Sequence, residues 1–273
     1  MVQAVIEMMS HAFIQRAVLV GCLVSLCAAL LGVSLVLKRY SMIGEGLSHV
    51  GFGILTIATV FGVASPLYIA IPGVTIFAII LLKIGNSSKI KSDSAIALIS
   101  SSALALGVAV TSATTGLNTD VCNMMFGSIL AMSISDVYLS IAVSIIVAIL
   151  FVIYYRKLFI ITFDEEFAKA SGLKATRYTN LIAILTALII VIGMRMMGTM
   201  LISSVIIFPA LTSMRLFKSF KKVIISSAII SVVSFLIGIY LSYIYNISTG
   251  AMIVIVNLVL FIIFTILDKI VHE

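Results

Sequence analysis

Charge is scarce in this chain. Only 10% of its 273 residues are Asp, Glu, Lys or Arg, while 62% are hydrophobic and the mean hydropathy is +1.31. So little charge, combined with repeated apolar runs near the length of a bilayer crossing, excludes a soluble globule and predicts an all-α, polytopic transmembrane helical bundle. Cysteine is also sparse. Cys22, Cys27 and Cys122 show no Cys-x-x-Cys spacing, which argues against a zinc–thiolate cluster and makes Cys22 and Cys27 packing residues of an apolar helix. No Gly-x-x-x-x-Gly-Lys-Ser/Thr sequence occurs, so the chain is expected to carry no P-loop and any ATP to be hydrolysed elsewhere. A cleavable signal pattern is missing too, because acidic and polar residues interrupt positions 1–10 and the first apolar run is long enough to span.

What is present is a succession of apolar spans. They are predicted at about 12–37, 40–62, 66–83, 93–113, 135–155, 176–194, 198–215, 222–245 and 249–267. That makes nine helices, or eight if the pair flanking 193–198 is one broken helix or 12–37 does not cross; the whole of 1–273 reads as one membrane domain. With the N-terminus outside and the C-terminus inside, the inner segments hold Lys38, Arg39, Lys83, Lys89, Lys91, Arg156, Lys157, Lys169, Lys174, Arg177, Arg215, Lys218, Lys221, Lys222 and Lys269, 15 of the 17 basic residues. Arg16 and Arg195 remain at the outer face. The net charge of +7 is thus read as topology and attraction to anionic lipid rather than nucleic-acid binding. Between the fourth and fifth spans, 121–132 is apolar enough to dip into the membrane as a short helix or re-entrant segment enclosed by protein. Gly21 with Ser25, and Ala28 with Gly32, give the first span a small-residue face, read as internal packing rather than a dimer seam.

The first candidate for chemistry lies in the second span, where Glu45 and His49 stand four residues apart. On a helix they share a face one turn apart. Ionisable groups at membrane depth usually face a pore or a partner. A carboxylate oxygen and an imidazole nitrogen form a plausible half-site for Zn²⁺ or Mn²⁺; a self-satisfied hydrogen-bonded pair and a proton relay are the competing uses. Gly44, Gly46, Gly51 and Gly53 thin the same helix, which admits another backbone or a hydrated ion.

A second candidate follows the fifth span. Thr162 and Glu165 form a capping-box pattern and Gly172 suits a helix stop, predicting a short amphipathic cytoplasmic helix with Phe163, Phe167 and Ala170 on one face. A helix this short is marginal alone, so it docks on its own membrane helices or on a soluble partner. Met194, Met196, Met197 and Met200 read as packing rather than a soft-metal site. Arg195 beside them is expected to anchor to headgroups or, less favoured, to dock an external partner. Asp120 and Asp136, with Glu7 and His11, leave the outer face mildly acidic, and Pro209 is expected to kink the seventh span.

Four motifs together carry a resemblance. Glu45-Gly46-Leu47-Ser48-His49; Asp164-Glu165-Glu166-Phe167-Ala168-Lys169-Ala170-Ser171-Gly172-Leu173; Met194-Arg195-Met196-Met197-Gly198 leading to Pro209-Ala210; and Ser248-Thr249-Gly250-Ala251 resemble the integral membrane subunits of manganese, zinc and iron ABC importers. The resemblance runs over nearly the whole chain. It implies a multi-pass permease of a prokaryotic cell membrane, not itself an enzyme, working as a homodimer with a separate cytoplasmic ATP-binding-cassette ATPase and an extracytoplasmic metal-binding protein. It implies no permanently bound cofactor, a divalent metal ion as cargo, and ATP on the partner subunit. The family's acidic-x-x-x-His pair falls on Glu45 and His49, although the usual acid is Asp. The coupling segment falls on 162–173, with Phe163, Asp164, Glu165, Glu166, Phe167, Ala170 and Gly172 as the residues the ATPase would grip. Competing classes are an ion-coupled secondary metal transporter without an ATPase, for which no internal repeat is found, and a scaffold that transports nothing. A larger cobalamin or siderophore permease is a closer cousin, but this chain looks short for it.

Overall fold

The computed structural model describes residues 10–63, 65–85, 92–114, 125–127, 133–199 and 201–272. Ten helices follow in order: α1 Ala12–Leu37, α2 Ser41–Val60, α3 Leu67–Gly85, α4 Ser92–Ser112, α5 Ile134–Phe163, α6 Glu165–Ala170, α7 Ala175–Met197, α8 Ile202–Leu216, α9 Phe220–Tyr245 and α10 Thr249–His272. Eight of them are long and apolar enough to cross a membrane, while α8, apolar but only 15 residues long, falls short. At about 1.5 Å per residue α8 rises roughly 22 Å, against a hydrocarbon layer of about 30 Å. The expected seventh span at 198–215 therefore begins as a turn, with Gly198 at φ 88° ending α7 before α8 starts at Ile202. The expected dip at 121–132, Cys122 and Met200 lie outside the described residues, apart from Met125–Gly127.

Burial sorts the bundle into a centre and a rim. The apolar windows of α1, α2 and α7 are 67%, 67% and 72% buried, whereas those of α4, α5 and α10 are below one-third. The hydropathy pattern alone cannot make this distinction, because lipid-facing and protein-facing positions are both apolar. Small residues explain why α1 is central. Gly21 faces the ring of Phe235 on α9, and a Cβ at Gly32 would collide with the carbonyl oxygen of Ile206 on α8. Ser231 of α9 donates to the Ser25 carbonyl at 2.8 Å, and Cys27 donates to the Ser144 carbonyl of α5 at 3.3 Å. Backbones this close replace the hydrophobic drive that a lipid solvent does not supply.

Corners between spans are tight. After α1 the backbone closes in a Schellman arrangement, with Tyr40 N–H donating to the Leu35 carbonyl at 2.8 Å and Arg39 N–H to the Val36 carbonyl at 3.1 Å. Arg39 occupies the left-handed position at φ 59° where glycine is usual. The turn hands α1 directly to α2, the helix of Glu45 and His49. At the opposite end two motif glycines meet a third glycine: Gly127 and Gly198 abut each other's backbones, and Gly250 abuts the Met197 carbonyl. Ser248 donates to the Phe126 carbonyl at 3.0 Å beside them. Met194, Met196 and Met197 are fully buried in the same region, as packing requires.

Candidate metal pathway and coupling site

Helix α2 packs most extensively on α4, then on α3, α7 and α8. Its glycines serve these contacts rather than an approaching ion. Gly46 receives Ile96 of α4, Gly53 lies against the Ala103 carbonyl of the same helix at 2.7 Å from an ideal Cβ, and Gly51 receives the Met194 side chain. Ser48 is buried and donates back to the Glu45 carbonyl at 2.8 Å.

Those contacts leave one stripe of α2 open. Met42 and Glu45 are exposed and His49 is half-buried, at spacings of three and four residues that place them along one line. No hydrogen bond or ion pair joins Glu45 to His49, and His49 Nδ1 is a buried atom with no hydrogen-bond partner among the described residues. The self-satisfied pair is thus not what the side chains form. Both groups retain donor capacity for something outside the chain. Among the described residues no cluster of three or more His, Cys, Asp or Glu could hold a metal ion, so at this stripe the described residues offer a pair of donors.

The segment after α5 forms the short helix, with different ends from those expected. Thr162 is buried inside the last turn of α5, and its hydroxyl has no hydrogen-bond partner among the described residues. Asp164, in extended conformation, caps α6 instead, accepting from Phe167 N–H at 2.8 Å. The stop is as expected. Gly172 sits at φ 79°, with Leu173 N–H on the Ala168 carbonyl and Gly172 N–H on the Lys169 carbonyl, both at 3.0 Å.

Helix α6 has two faces. Ala168 is fully buried against Ile161 and Ala175, which seats α6 on the ends of α5 and α7. Phe167 points away, 59% exposed, whereas Phe163, expected on the same helix, is the last residue of α5 and is 58% exposed there. Glu166 and Ala170 are exposed as well.

One residue that the sequence reading treated as a topology marker ties this region together. Lys38, only 6% exposed, places its ammonium 2.9 Å from Glu165 Oε2, 3.1 Å from Thr179 Oγ1 and 3.3 Å from the Ile161 carbonyl. A single cation thereby joins the α1–α2 corner to α5, α6 and α7. Partial burial would raise the Glu165 carboxyl, but the hydrogen bond and charge of Lys38, joined by Lys169, outweigh it and hold the group below its ordinary value. A carboxyl held low in the fold stabilises it above the unfolded pKa and stops doing so as pH falls through the folded value. The stability gap between wild type and Glu165→Gln is therefore expected to be full at neutral pH and to close under acid conditions; thermal melts across pH would check it. A pH-independent gap would mean the pair contributes nothing.

Arg195 is placed differently from expectation. Its guanidinium bonds Asp136 Oδ2 at 2.9 Å, with the two side chains only 18% and 12% exposed. Asp136 itself closes a capping box with Ser133 at the start of α5. This ion pair ties α7 to α5.

Comparison with known proteins matches this architecture. The family model described as the ABC 3 transport family matches residues 10–268. The manganese import system permease protein ScaB of Streptococcus gordonii is 31% identical, with 92% of this chain and 90% of that protein covered. The high-affinity zinc uptake system membrane protein ZnuB of Haemophilus influenzae is also 31% identical, over 90% of this chain and 94% of its own length. Among solved structures, PsaBC from Streptococcus pneumoniae in complex with Fab superposes with a TM-score of 0.86 at 30% identity, covering 96% of this chain and 94% of that one. With eight membrane-length helices among the described residues and a buried central trio, the chain belongs to the ABC 3 transport family, as a multi-pass permease component of the cell membrane.

Proposed function

We propose that this chain is the permease of an ATP-driven importer for a divalent transition metal ion of the Mn²⁺, Zn²⁺ and Fe²⁺ class. The observation that carries the reading is the open stripe of α2, where an exposed carboxylate and a half-buried imidazole lie at membrane depth, with His49 Nδ1 lacking a hydrogen-bond partner among the described residues. Starting from Ser41, a rise of about 1.5 Å per residue puts His49 roughly 12 Å into the bilayer, close to the midplane, with Glu45 one turn shallower. A second copy facing the first would bring two carboxylates and two imidazoles together, a donor number and type suited to these ions. The homodimer and its shared pathway are read from that incompleteness.

In this mechanism a cytoplasmic ATPase grips α6 at exposed Phe167 and the adjoining end of α5 at Phe163, with the N-terminus of the chain outside. An extracytoplasmic metal-binding protein delivers the ion to the outer end. Nucleotide binding moves α6, and the motion passes to the α1–α2 corner and alternately opens the dimer interface. Glu45 and His49 replace part of the ion's water shell during passage. Their hold is loose, because conduction requires release as well as entry.

The test is uptake into vesicles carrying the chain and its co-purifying partners, comparing Mn²⁺, Zn²⁺ and Fe²⁺ with and without ATP. Uptake of one ion that depends on ATP and survives collapse of the proton gradient is the expected result. Uptake that follows the gradient instead would favour the ion-coupled carrier.

A further inference from the structure

At the end of α5 nearest α6, a pocket of about 640 Å³ opens between α5 and the α8–α9 turn. Its floor is the buried ring of Phe220, which meets Phe159 at 5.0 Å and both Tyr155 and Phe163 at 5.7 Å. Arg156, Lys218 and Lys221, all three exposed, line it together with Ile160 and Ser219, and no Asp or Glu is among the lining residues. Among the described residues no carboxylate pairs with any of these cations. The proposed coupling contacts do not use them.

The depth of this pocket decides what fits. Counting about 20 residues of hydrocarbon from Val137 brings α5 to the far boundary of the apolar layer near Arg156. Arg156, Phe159 and Phe163 then lie in the headgroup layer, where aromatic rings and lysines are favoured. An aromatic floor with a rim of three uncompensated cations complements an anion attached to an apolar body.

We propose that this pocket holds the phosphate headgroup of an anionic phospholipid, with Arg156, Lys218 and Lys221 on the phosphate. The assignment does not depend on what the permease carries. A basic pocket between membrane helices at the headgroup level is the form that lipid-headgroup sites take. A protein partner is less well matched, because lysine is depleted at protein–protein interface cores.

The test uses the full chain with its co-purifying partners in nanodiscs, measuring retained phosphatidylglycerol against phosphatidylcholine by native mass spectrometry. Wild type is expected to prefer phosphatidylglycerol, and Arg156→Gln, Lys218→Gln and Lys221→Gln each to lower that preference about fivefold. Lys218→Arg and Lys221→Arg are expected to retain it, and Arg177→Gln, outside the pocket, to leave it unchanged. Equal loss in Arg177→Gln would show general surface charge and overturn the site. Displacement of the lipid by millimolar inorganic phosphate would overturn the lipid in favour of a free anion. Loss of ATPase binding with the lipid preference intact would overturn it in favour of a protein-docking surface.

Discussion

His49→Ala, made in the assembled transporter, is expected to lower ATP-driven metal uptake by at least about 10- to 100-fold, the loss typical of removing even an outer partner of a metal ligand. The imidazole has no internal hydrogen bond to lose at Nδ1, so the fold is expected to survive the change. Glu45→Gln, which keeps shape and removes charge, is expected to behave similarly. Glu45→Asp retracts the carboxylate by one methylene and is expected to retain part of the uptake while shifting the preference among Mn²⁺, Zn²⁺ and Fe²⁺. Radiolabelled uptake normalised to expression, with ATP hydrolysis measured in parallel, separates these results from a folding defect. Full uptake in both His49→Ala and Glu45→Ala would remove the pair from the path.

Lys38→Met is the second large effect. Removing one partner of a buried ion pair costs about 3–5 kcal/mol, and the 31% exposure of Glu165 places this case nearer about 1–3 kcal/mol. The substitution leaves the Glu165 carboxylate, the Thr179 hydroxyl and the Ile161 carbonyl without their shared donor. A lower thermal midpoint in detergent is expected. Beyond stability, α6 loses its tie to the α1–α2 corner, so ATP hydrolysis is expected to continue while uptake per ATP falls. Lys38→Arg, which keeps a donor and a charge, is expected to recover part of the coupling. If uptake and hydrolysis fell in proportion, the residue would be structural alone.

How much of this was legible beforehand depended on which force set each feature. Hydrophobic length set the spans, and the order and approximate limits of the helices followed from it. Limits failed where the bilayer was not the terminator. The fifth span was expected to end at 155 but α5 continues to Phe163, because Arg156 and Lys157 end the membrane layer without ending the helix. Thr162 imitated a cap because helix α5 and helix α6 are separated by the single residue Asp164, and both flanks carry helix formers. Their four-residue spacing inside an apolar span marked Glu45 and His49, and the open stripe they occupy could not be seen until α4 was placed on the glycines of α2. Lys38 was counted with the other inner cations; nothing local distinguishes a lysine that snorkels from one that reaches Glu165, 127 positions away. Asp136 was read as a surface charge for the same reason, although its capping partner Ser133 lies close by in sequence.

The exposure of Glu45 bears on how the protein is made. A newly inserted, solitary protomer carries an ionisable side chain toward lipid, at a cost reaching about 2.5–3.5 kcal/mol at the bilayer centre and less toward its edge. In the proposed dimer a second copy would cover that stripe and return this energy, so the residues proposed to pass the cargo would also favour pairing. An orphan subunit would display the same polar mark within the membrane, and its lifetime before assembly would be set by how quickly a partner or a quality-control protease finds it.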